Sequence, residues 1–170
     1  MAQVLVVLNE LQSGKQTSMT AKKIKAAYKS GQRDFSRSQL LNVCLHKAQL
    51  ADINLSNAYL NRAILTKANL DRAFLNQALL YAANLQQAHL YRASLIEANL
   101  EKANLSNTTL NHANLHGANL SQANLERAHL VWANLRKANL NNANLEGANL
   151  SGAKFCRTIM PDGSMRNDDC

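Results

Sequence analysis

Very little in this sequence breaks a chain or reacts. Of its 170 residues one is proline, six are glycine and three are cysteine. That scarcity of proline and glycine excludes a collagen-like or low-complexity chain. Cys44, Cys156 and Cys170 are far apart and odd in number, so they form neither a disulfide framework nor a zinc motif. Free thiols are expected, and they fit a reducing compartment such as the cytoplasm. Aromatics are 5% and charged residues 18%, against 46% apolar, which argues against a disordered chain. No apolar run approaches the ~20 residues of a membrane span. Residues 1–8 lack a basic region and a clear cleavage site, so a secretory signal is not expected.

The net charge is +8, divided as +4 over residues 1–34, +6 over 35–160 and −2 over 161–170. Such a balance permits contact with nucleic acid or an anionic surface. It also serves solubility alone.

What the sequence does have is a period of five. Every multiple of five from Leu40 to Leu150 is leucine, 23 positions in succession, and Phe35, Phe155 and Met160 extend the series to 26. Two residues before each stands alanine in 20 of the 26 cases; the exceptions are Arg33, Ser38, Val43, Ile53, Thr108 and Thr158. The residue between is asparagine 12 times.

Neither regular structure serves this period. On an α-helix, at ~100° per residue, leucines five apart scatter around the cylinder. On a straight strand, alanine and leucine share one side, but the next alanine, three further on, faces the other. Both conflicts vanish if the chain turns a corner once per pentapeptide. Alanine and leucine then point inward, and the following two residues make the turn. Four corners close a square coil of twenty residues. Coils stacked at ~4.8 Å satisfy one another's backbone groups. Six and a half coils make a rod of roughly 30 Å.

The unit, plain in Ala-Asn-Leu-Arg-Lys-Ala-Asn-Leu-Asn-Asn (133–142), resembles that of the pentapeptide-repeat family. The resemblance covers residues 33–160 and implies an all-β solenoid, a right-handed quadrilateral β-helix. Leucines twenty apart, such as Leu60, Leu80, Leu100, Leu120 and Leu140, then stack into columns. An interior of leucine and alanine methyls leaves no cavity for a cofactor, and none is expected.

A solenoid must also stop. Residues 20–32 read as a capping helix, with Thr20 as N-cap and Gly31 beyond its end. Ile24, Ala27 and Tyr28 share one side of it. Residues 28–35 resemble the helix-to-repeat junction of small family members, some cyanobacterial, which leaves Met19 as an alternative start and 1–19 as an extension. Residues 158–164 are similar to the ending of some cyanobacterial members. In the tail 161–170, disorder is expected beyond Ser164.

Chemistry is sparse. No phosphate loop, nucleotide fingerprint, nucleophile elbow or His-Glu-X-X-His is present. His112 and His116 are four apart but fall on different faces of a square coil, without a third ligand, so no metal site is expected. Asp52 with Asp71, and Glu97 with Glu101, read as solvated carboxylates, not an acid/base pair. An enzyme is not expected.

Function must then lie outside. Stacking every twentieth residue puts Asp52, Arg72, Arg92, His112, Trp132 and Gly152 in one column, beside Asp71, Tyr91, Asn111 and Val131. Arg72, Tyr91, Arg92, His112, Val131 and Trp132 form a candidate partner-binding face, since Trp, Tyr and Arg are enriched at interfaces. A candidate apolar patch gathers Tyr59, Ile64, Phe74, Leu79, Tyr81 and Ile96, open to cover by residues 4–8 or by a second protein. The leading reading is a non-catalytic scaffold for an unidentified protein partner, possessing no membrane span, as monomer or dimer. The runner-up is nucleic acid or an anionic surface bound through the basic exterior. A gyrase-interacting DNA mimic ranks lower, because a positive rod does not imitate phosphate.

Overall fold

The computed structural model describes residues 19–170. Residues 1–18, including the apolar run 4–8, lie outside the described part. Helix α1 (Ala21–Lys29) begins at Thr20, whose side chain accepts the Lys23 N–H. It buries Ile24 and Ala27 over the first coil. The Tyr28 hydroxyl donates to the Ala51 carbonyl at 2.7 Å and fastens the helix down. Gly31, with φ +99°, turns the chain into the repeats.

From Asp34 to Ile159 the chain is a right-handed quadrilateral β-helix. Each wall is one parallel bridge per coil, always to the residue twenty further on, as in Asn99↔Asn119↔Asn139. Four walls result, here named after members of their columns. The Phe74 wall runs Asn54, Phe74, Ser94; the Tyr59 wall Gln39, Tyr59, Leu79; the Ile64 wall Cys44, Ile64, Asn84; and the His89 wall Asn69, His89, Thr109.

At each corner the alanine N–H donates to the preceding leucine carbonyl, as from Ala103 to Leu100 at 3.0 Å. The second turn residue takes φ of +53° to +59° at twenty-two non-glycine positions. That is the geometry of a type II turn, normally left to glycine. Repeated coil-to-coil bonding outweighs the local cost.

Asparagine completes the backbone accounting. Leucine and the second turn residue donate to the next coil, the residue between alanine and leucine donates to the previous one, and alanine closes the turn. Only the first turn residue lacks a backbone acceptor. Each of the twelve asparagines supplies it, its Oδ1 accepting the N–H two residues on, as from Ser121 to Asn119 at 3.1 Å. Where that position is Leu79, His89, Ser94 or His129, an acceptor comes instead from one coil below. Asn61, Asp71, Asn76 and Asn111 receive the N–H groups of Tyr81, Tyr91, Ile96 and Val131.

The core is a column of methyls: the leucine at every fifth position from Leu45 to Leu140 is fully buried. Two threonines replace alanine inside at no unpaired cost. The hydroxyls of Thr108 and Thr158 donate to the carbonyls of Leu85 and Leu135.

The tail departs from expectation in two ways. It is ordered beyond Ser164: β1 (Thr158–Ile159) pairs antiparallel with β2 (Met165–Arg166). The hairpin carries residues 167–170 back over the open end of the last coil. There Asp169 accepts the Phe155 N–H and Asn167 the Arg157 N–H, standing in for a missing coil. The same return brings Cys156 and Cys170 to a Cα separation of 4.9 Å, and they are joined as a disulfide. Cys44 alone stays free and exposed. The expectation of three free thiols is thereby corrected, and with it goes the ground for assigning a reducing compartment. Among the described residues, no helix is long and apolar enough to cross a membrane.

Candidate functional site

The corner between the His89 and Phe74 walls is made of turn residues. Stacked coils therefore place Arg72, Arg92, His112 and Trp132 in one exposed column. Tyr91 and Val131 occupy the adjoining half-buried column. These six side chains do not act alike.

Arg72 is engaged within the molecule. Its guanidinium grips the Asp52 carboxylate through two bonds of 2.8 Å. That hydrogen bonding holds the Asp52 carboxyl below its ordinary range. Arg92 has no carboxylate partner among the described residues and leans over the Tyr91 ring, 5.2 Å from its centre. The Tyr91 N–H is itself fixed by Asp71 at 2.9 Å. His112 meets the Tyr91 ring edge-on at 5.7 Å. Trp132 is 58% exposed. Its indole lies on the backbone of Gly152, where an added Cβ would stand 2.6 Å from Cε3. Cation, imidazole and indole thus rise in order up one edge. Tyr91 braces the first two and Gly152 seats the third. Aromatic anchors beside an arginine are what interface hot spots are made of.

The apolar residues fall into two groups. Tyr59, Leu79, Ile64 and Tyr81 surround the corner between the Tyr59 and Ile64 walls. Phe74 lies on the Phe74 wall, and Ile96 at the corner that this wall shares with the Tyr59 wall. Tyr59, Ile64 and Phe74 are exposed, whereas Leu79, Tyr81 and Ile96 are half-buried. Sequence reasoning missed Leu41, the most exposed leucine among the described residues at 60%. Its signal was a leucine in the first turn position, out of phase with the repeat.

His112 and His116 stand at opposite edges of the Phe74 wall. Among the described residues no group of His, Cys, Asp and Glu is arranged to hold a metal. Asp52 pairs with Arg72, and Asp71 serves a backbone N–H. Glu97 accepts from Gln77, and Glu101 lies 3.9 Å from Lys102.

Comparison with known proteins agrees with this geometry. A family model described as pentapeptide repeats matches residues 44–87, 88–127 and 123–160. No curated protein matches the chain. Among solved structures the chain is similar to Rfr23, a pentapeptide repeat protein from the cyanobacterium Cyanothece 51142. Identity is 44% over 54% of this chain, with a TM-score of 0.53, and the match spans 63% of that protein's length. It is also similar to HetL, a pentapeptide repeat protein involved in heterocyst differentiation regulation in Nostoc sp. strain PCC 7120. Here identity is 26% over 87% of this chain and 100% of HetL, with a TM-score of 0.39. QnrB1, a plasmid-mediated fluoroquinolone resistance protein, is 18% identical over 76% of this chain and 66% of its own, with a TM-score of 0.70. That likeness concerns the fold alone.

Proposed function

Because this chain belongs to the pentapeptide-repeat family, whose members are generally structural or binding scaffolds, we propose that it is a non-catalytic scaffold docking a protein partner on its walls. The docking edge is Arg92, His112 and Trp132, with Tyr91 and Val131 beside it. One observation carries the reading: the sole tryptophan is more than half exposed yet seated on Gly152. An exposed indole already held in place loses little entropy on binding. The apolar interior supports the absence of catalysis, since it offers no reactive group to a substrate. The DNA-mimic reading finds no support in charge, because residues 35–160 carry +6.

The test is affinity capture from the native cell with the wild type and with Arg92→Glu/Trp132→Ala. A protein recovered by the wild type, lost with the variant, and shifting Trp132 emission once purified supports the reading. Equal recovery of the same partners by both sinks it.

A further inference from the structure

A second surface differs in kind from the tryptophan edge and lies across the rod from it. Charge is unevenly distributed along the axis. Residues 19–80, the helix and first coils, hold ten Lys and Arg against three Asp; residues 81–170 hold eight against seven acids. The three early acids, Asp34, Asp52 and Asp71, all lie on or beside the Phe74 and His89 walls. The other two walls are free of them. Residues 37–49, 57–69 and 77–89 contain no Asp or Glu.

On those same two walls stands the apolar group. Leu41 is 60% exposed, Tyr59 and Ile64 42% each. Half-buried Leu79 and Tyr81 extend it upward. Four exposed cations surround it: Arg37 on one side, Arg62 in the corner itself, Lys47 and Lys67 on the other. None of the four is ion-paired to a described residue. In later coils these walls change character. Asn99, Asn104, Asn119 and Asn124 replace the apolar side chains, and Glu97, Glu101, Glu126 and Glu146 appear.

We propose that this early corner docks the protein on an anionic lipid surface. Composition and charge together select lipid. Leu41 and Ile64 project from the edge where the two walls meet, as a ridge flanked by cations and free of acids. Its most exposed member, Leu41, is aliphatic, unlike the tryptophan of the opposite edge. Leucine and isoleucine enter the acyl boundary but offer bases nothing to stack on. Flanking lysine and arginine meet lipid phosphates at the depth where tyrosine hydroxyls sit.

The test uses the full chain and vesicles of phosphatidylcholine, with and without phosphatidylserine. The wild type should sediment with the anionic vesicles only, and less as salt rises. Leu41→Glu/Tyr59→Asn/Ile64→Asn should weaken this by roughly tenfold or more. Those residues already occupy the same columns at Glu101, Asn99 and Asn84, so the variant keeps the fold. Arg62→Gln/Lys67→Gln should weaken binding by roughly tenfold as well, at about one decade or less per cation. Trp132→Ala should bind like the wild type, which separates this surface from the proposed protein-docking edge. The proposal is overturned by binding to neither vesicle, the result if residues 1–18 cover the ridge. Undiminished binding by the ridge variant overturns it too, as does retention by an oligonucleotide in place of the anionic vesicles.

Discussion

The indole of Trp132 rests on Gly152, twenty residues later and one coil up, so closely that a methyl group there would overlap its ring. Gly152 has φ +67°, a further reason for glycine. Gly152→Ala should therefore displace the indole from its seat and cost about 1 kcal/mol from backbone strain alone. With one tryptophan in the chain, emission and anisotropy report it directly. A red-shifted, less polarised signal is expected; an unchanged spectrum would show that Gly152 does not seat the ring.

The mid-rod core should respond to truncation. Leu100 is fully buried and bounded by coils on both sides. Leu100→Ala should cost ~2–5 kcal/mol in a denaturant melt. Ala98→Leu should also destabilise, by about 1–3 kcal/mol, because the square interior has no slack. A neutral result for either would contradict a close-packed column.

Asn111 accepts the Val131 N–H at 3.0 Å, in the repeat where His129 stands in place of the usual asparagine. Asn111→Ala should cost roughly 1 kcal/mol by leaving that donor unpaired. His129→Asn, added to it, should restore most of the loss, since an asparagine there would accept the same N–H as its counterparts do in twelve other repeats. If the double variant is no more stable than Asn111→Ala, the exchange of acceptors is refuted.

The disulfide closes a separation of 14 residues around the tail hairpin. Cys170→Ser should lower stability by up to about 3 kcal/mol in the loop-entropy account. Faster hydrogen exchange is expected at Phe155 and Arg157, whose N–H groups depend on Asp169 and Asn167. The Leu80 N–H, bonded to Asn99 far from the tail, should exchange as before. Unaltered exchange at Phe155 would mean that the tail holds without its covalent tie.

Much of the candidate site was legible because the period also sets which exterior residues stack. Arg92, His112 and Trp132 follow from counting by twenty. Their inequality does not. Counting ranks Arg72 with Arg92, but only the orientation of Asp52 shows that Arg72 is occupied. Counting by twenty also puts Phe74 on the face next to the Tyr59 and Leu79 column, but does not say which of these side chains are exposed. Leu41 escaped notice because it is a repeat-type residue in a turn position.

The order of the residues was sufficient for the coil, its pitch of twenty and its aliphatic interior. Every inward position recurs in each turn, and just one backbone path buries them all. Packing in three dimensions settled the rest: a tail folded back to join Cys156 with Cys170, Oδ1 atoms aimed at the odd N–H, an indole laid on a glycine. These features occur once or depend on side-chain direction, and a periodic code carries information about neither.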